Sequence, residues 1–180
     1  TIDFSEMQPQ VNSPLNSGFS GGLSAARVAF KCLTMPQAPV NEGCFRSLKL
    51  ISPEGTMVNA RKGAALGQWS VALPTVIDTI LRALAPALPG FVPAAHKGDM
   101  GGFSFYGVRE DTGARYVLIN IYGGGWGGRS TQDGASCSVS ICQGDVRNTP
   151  VELQEIHYPF LIECLQLRED SGGAGEFRGG

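Results

Sequence analysis

A chain of 180 residues, 42% hydrophobic and 17% charged, has the apolar mass for one packed domain, or for two small ones sharing a core, and too little charge for a disordered tail. Its net charge of −2 gives no basic excess for nucleic acid, and no apolar run reaches the roughly 18 residues that a membrane span needs. The 5 cysteines are odd in number and form no CxxC pair, and His96 and His157 lie far apart in the chain, which argues against a disulfide framework or a zinc site and for reduced thiols in a cytoplasmic protein.

In chain order, residues 1–5 alternate as a short strand and 8–18 read as a Pro/Asn/Ser loop. Residues 24–33 predict a helix, because Ala25, Val28, Ala29, Cys32 and Leu33 recur at helical spacing. Pro36 and Pro39 stop it. A turn over 41–46 leads into an expected strand over 45–51, and Gly55 closes a Pro-Glu-Gly turn that favours positive φ.

The clearest helix is expected over 74–88. Val76, Ile77, Ile80, Leu81 and Leu84 form one stripe, with Pro74 in the first turn and Pro86, Pro89 and Gly90 at the end. Residues 91–95 are expected to be a strand. Residues 103–108 and 115–122 then form a hairpin around Asp111-Thr-Gly113. Further strands are expected over 135–142 and 160–168, with a short helix over 151–156.

Two main helices among mostly short strands, without βαβ repetition, predict an α+β fold built on a mixed, mainly antiparallel sheet. A sub-boundary is expected near 90–100. The chain opens on Thr1 and closes on a glycine-rich stretch of low apolar content, 171–180, read as flexible. Both features lead to the expectation of an internal segment, 1–180, of a larger subunit.

Several clusters could carry chemistry. Tyr122-Gly-Gly-Gly-Trp-Gly-Gly-Arg-Ser-Thr-Gln-Asp-Gly134 is the densest. Gly123, Gly124, Gly125, Gly127 and Gly128 leave backbone N–H groups uncovered, as a phosphate or cofactor cradle would. The Lys and Ser/Thr of a P-loop are missing, and the segment after GxGxxG reads as strand. The competing reading is a loop packed against neighbouring protein, with Trp126 as its plug.

In the second cluster, 144–152, Thr149 and Glu152 have the spacing of a capping box, with Pro150 between them. Arg147 and Asn148 suit a carboxylate or phosphate partner, or Asp145 of the same chain. His96 could act as a base with Asp99 as its orienting acid, although a loop histidine is more often structural. Asp133 adds a carboxylate at a turn.

Four stretches in order, Asn41-Glu-Gly-Cys-Phe-Arg46 with Pro53-Glu-Gly55, Tyr122 to Gly134, Arg147-Asn-Thr-Pro-Val-Glu152 and Asp170-Ser-Gly-Gly-Ala-Gly-Glu-Phe-Arg-Gly-Gly180, resemble the hydantoinase B/oxoprolinase family over the whole chain. The resemblance implies part of an ATP-dependent opening of hydantoin, N-methylhydantoin, 5-oxoproline or lactam rings. In that chemistry ATP phosphorylates a carbonyl or enolate oxygen. It also implies ATP and Mg on a hydantoinase A-type partner subunit, and a divalent metal in an earlier part of the subunit, with none here.

Alternatives are the same segment of an acetone or acetophenone carboxylase, or a non-catalytic assembly module. The isolated segment is expected to be inactive. Asp133, Arg147, Asn148 and Glu152 are implied to lie near a substrate or subunit boundary.

Overall fold

The computed structural model describes residues 1–67, 69–98, 101–143 and 147–180. The fold is α+β. Its helices are α1 (Phe19–Thr34), α2 (Trp69–Leu84) and α3 (Val151–His157), with a short 3-10 turn at Glu42–Phe45. The strands are β1 (Ile2–Asp3), β2 (Leu50–Ile51), β3 (Gly102–Val108), β4 (Arg115–Ile121), β5 (Gly124–Gly125) and β6 (Ser136–Ser138). They pair as β1–β2 in parallel, and as β3–β4 and β5–β6 antiparallel.

The core lies between α1 and α2. Ala25, Ala26 and Ala29 form a small-residue face on α1 that lets α2 approach closely with Leu73, Val76, Ile77 and Leu81. Val58 and Phe4 belong to the same buried cluster. The loop over 8–18 is held from inside by Asn16, which is fully buried. Its Oδ1 accepts from the Val11 amide, and its Nδ2 donates to the carbonyls of Val11, Ser13 and Ala65. A buried amide with its donors and acceptor engaged fixes such a loop without regular structure.

Several expectations need correction. Helix α2 starts at Trp69, so Pro74 stands inside the helix and is fully buried, not in the first turn. Ser70 and Leu73, ahead of Pro74, are buried and continue the stripe, and packing outweighs the hydrogen bond that proline forfeits. Helix α1 likewise begins earlier than expected, at Phe19. The strand expected over 45–51 shrinks to Leu50–Ile51 behind the 3-10 turn.

Residues 91–95 form no strand: a turn and bend at Phe91 and Val92 lead into a strap in which Ala94 N–H reaches the Gly128 carbonyl with no continuous ladder. Over 135–142 only Ser136–Ser138 pairs, because Cys137 takes φ 53° and breaks the pleat. Residues 160–168 have no strand partner among the described residues and form no strand.

The hairpin agrees with its sequence. Phe105 pairs with Leu118 and Tyr106 with Val117, and Gly113 takes φ 69° in the turn. The turn residue Arg109 donates to the carbonyl of His157, at the C-terminal end of α3, at 2.7 Å, where a cation is favoured. Helix α3 forms, but not through a capping box. Pro150 is its N-cap and no side chain caps it. Buried Gln154 anchors it instead, accepting from Asn120 at 2.5 Å and donating to the Thr149 carbonyl at 2.7 Å.

Candidate functional site: a glycine-walled cavity

The glycine cluster lies where several backbone segments cross. The strap over 94–97 lies on one side of it: Ala94 N–H donates to Gly128 and Lys97 N–H to Gly125, each at 2.9 Å. On the other side Gly134 N–H donates to Arg178 at 2.8 Å and Gly180 N–H to Trp126 at 3.0 Å. The Asp133 carboxylate accepts from Arg178 N–H at 2.7 Å.

A methyl group on Gly125 would overlap the Gly180 carbonyl, and one on Gly127 the Ala94 carbonyl. Glycine is required here because backbone meets backbone. The stretch read as flexible from its composition is therefore a hydrogen-bonded layer of the fold.

This layer walls a cavity of about 1530 Å³. The rest of the lining includes Phe103 and Phe105 from β3, Tyr122, Gln154, and most of the segment 160–170. Aromatic rings line this side: Phe103 meets Tyr122 edge to face, and Phe105 lies 6.0 Å from Phe160, which stacks on Tyr158. A concave, largely apolar site with a few polar groups is the usual form of a small-molecule pocket.

At the strap lies a histidine–aspartate pair that sequence reading did not bring together. The His96 backbone N–H donates to Asp78 Oδ2 at 2.9 Å, and His96 Nδ1 lies 2.7 Å from Asp78 Oδ1. The His96 and Asp78 side chains are 4% and 14% exposed. Trp126 meets the imidazole at 5.0 Å and donates its indole N–H to the Val139 carbonyl. The acid paired with His96 is thus on α2; Asp99 lies outside the described residues, as does Asp145. The available signal for Asp78 is that it is the one acidic residue within the apolar helix α2.

Of the residues singled out from sequence, His96, Asp133 and the glycines line the cavity. Arg147, Asn148 and Glu152 are exposed and do not line it. Arg178, Lys97 and Gln154, which sequence reading passed over, do. Burial raises the Cys32 thiol above its ordinary pKa, which keeps it protonated and unreactive. Among the described residues, no group of three or more His, Cys, Asp or Glu could hold a metal ion, and no helix is long and apolar enough to cross a membrane.

The hydantoinase B/oxoprolinase family model matches residues 1–180; the chain belongs to that family. It is 36% identical over 180 residues to a protein of Methanocaldococcus jannaschii, covering 99% of this chain and 31% of that one. It is 30% identical over 181 residues to caprolactamase subunit beta of Pseudomonas jessenii, covering 97% of this chain and 31% of that one. The crystal structure of the ATP-dependent caprolactamase from Pseudomonas jessenii superposes with a TM-score of 0.82 at 28% identity, over 96% of this chain and 31% of that chain. The chain thus spans about a third of the length of these relatives.

Proposed function

We propose that the chain is a segment of the hydantoinase B-type subunit of an ATP-dependent cyclic-amide hydrolase. The observation that carries this reading is the likeness to the caprolactamase structure along nearly the whole chain, within a family whose model matches residues 1–180. An amide carbonyl is a poor electrophile. Phosphoryl transfer from ATP to its oxygen gives an imidate phosphate and ADP. Water adds at that carbon and the C–N bond breaks, the amine leaving an acyl phosphate, which a second water hydrolyses to the carboxylate and phosphate. Cyclic amide, ATP and two waters thus become the open amino acid, ADP and phosphate.

In this reading ATP and Mg belong to a hydantoinase A-type partner subunit, a divalent metal belongs to another part of the same subunit, and the assembly works in the cytoplasm. The described residues do not fit either group. No metal-ligand cluster is present among them, and the glycine loop has its close approaches filled by its own chain.

The segment supplies part of a substrate enclosure. Phe103, Phe105 and Trp126 give it an apolar lining against which the ring of a cyclic amide packs. His96 and Asp133 are the ionisable candidates on that wall. Arg147, Asn148 and Glu152, all exposed, face a subunit boundary.

The test is turnover by the full-length subunit assembled with its partner, supplied in turn with caprolactam, hydantoin and 5-oxoproline, with and without ATP. Ring opening that requires ATP supports the proposal. Carboxylation of acetone with bicarbonate and ATP, without ring opening of any amide, would replace the hydrolase with a carboxylase.

A further inference from the structure

We propose that Asp78 is a positioning residue, whose carboxylate grips His96 by both backbone and ring and thereby sets the glycine wall of the cavity. One carboxylate oxygen takes the His96 amide and the other faces Nδ1. This two-point grip on a nearly buried histidine fixes both the course of the strap and the plane of the ring. The strap lies close along α2: a methyl on Gly98 would sit 3.3 Å from Thr75 Oγ1, and Thr75 shares a helix face with Asp78.

The grip is passed on by hydrogen bonds. Lys97 and Ala94, on either side of His96, donate to Gly125 and Gly128, and between those glycines Trp126 accepts from Gly180 and packs on the imidazole. The order of dependence runs from the core helix to the strap, from the strap to the glycine loop, and from the loop to 178–180. Glycine backbone has no side-chain packing to hold its place, so its position is set by such bonds. At the nearly buried His96 and Asp78 side chains a hydrogen bond counts for more than in water, and an unpaired partner costs more.

The kinetic part of the test rests on the cyclic-amide reading; the structural part does not. Asp78→Ala, Asp78→Asn and His96→Ala are made in the full-length subunit assembled with its partner. Amide hydrogen exchange is followed at 94–97, 123–128 and 178–180, with Ala29 and Ile77 reporting the core. In Asp78→Ala, exchange in the strap and glycine loop is expected to rise about tenfold or more while the core amides hold.

Asp78→Asn keeps an oxygen that can accept the His96 amide and is expected to stay within about threefold of the parent. For the cyclic amide, KM is expected to rise about tenfold in Asp78→Ala with kcat changing less than about twofold, because a misplaced wall weakens binding before it touches the bond-making step. Unchanged strap exchange in Asp78→Ala overturns the proposal, as does a loss confined to kcat. Should that variant lose its core protection too, His96→Ala decides: faster exchange at 123–128 alone supports the grip, and parent-like exchange overturns it. If the parent opens no cyclic amide, the functional reading fails while the exchange data still decide the role of Asp78.

Discussion

The indole of Trp126 and the imidazole of His96 meet edge to face, with centroids 5.0 Å apart and planes at 84°. The indole N–H is spent on the Val139 carbonyl at 2.8 Å, so one side chain joins the strap, the glycine loop and the segment after β6. Trp126→Phe keeps a ring but removes that bond and leaves a carbonyl without its donor. A loss of about 1–2 kcal/mol is expected in urea denaturation. A change within about 0.5 kcal/mol, the range of ordinary surface substitutions, would mean the indole is not a plug.

Two glycines make opposite predictions. Gly22 on α1 is buried, and a methyl there would lie 2.6 Å from the Val58 carbonyl. The carbonyl belongs to backbone that cannot swing aside, so Gly22→Ala should cost about 1–3 kcal/mol by overpacking despite the better helix propensity of alanine. At Gly102 a methyl meets nothing within 4 Å, and Gly102→Ala should be neutral or stabilise by up to about 1 kcal/mol through the unfolded chain. Thermal melts of the two variants side by side check both signs.

Arg27 fastens α1 to the 3-10 turn. Both its terminal nitrogens donate to Glu42 at 2.8 Å, and its guanidinium lies 4.6 Å from the centre of the Phe45 ring. Glu42 is 80% exposed at its side chain and Arg27 30%. Glu42→Ala should therefore cost no more than about 1 kcal/mol, as exposed pairs do. Arg27→Ala also loses ring contact and the packing of its stem, and should cost more than Glu42→Ala by about 0.5–1 kcal/mol. Equal losses in denaturant titrations would assign the whole effect to the ion pair.

The hairpin and α3 were legible because their signals are local: strand alternation with a Gly-bearing turn, and a proline at the start of a short helix, although the capping box read beside it does not form. The faces of α1 and α2 were legible for the same reason. The His96–Asp78 pair was not, because its partners are 18 residues apart and belong to different elements, and the nearer Asp99 drew the assignment. Nor was the layer over 171–180. Glycine carries no pattern that tells a free linker from backbone pressed against backbone, and only the crossing of segments distant in sequence separates them. The strands expected over 135–142 and 160–168 follow apolar alternation alone. Alternation records exposure and packing; a strand needs a neighbour as well, and Cys137 turns away from its own.

At the hairpin turn the Arg109 guanidinium, hydrogen-bonded to Asp111 at 3.2 Å, holds the Asp111 carboxyl below its ordinary value of 3.8. A carboxyl with a depressed folded pKa adds stability that is present above 3.8 and is lost as pH falls through the folded value. The turn amides, Gly113 and Ala114 first, should lose protection as pH drops below about 4, and Asp111→Asn should remove that dependence. The effect is small because the pair is exposed. An NMR pH titration of the turn in both forms checks it; identical profiles would show that Asp111 plays no part.

The most direct measurement of the account is the stoichiometry of turnover by the full-length subunit with its partner. ATP consumed, phosphate released and amino acid formed from the cyclic amide are followed together. The account predicts one phosphate per ring opened and no opening without ATP. Ring opening at the same rate without ATP, or ATP cleavage that leaves every cyclic amide intact, would contradict it.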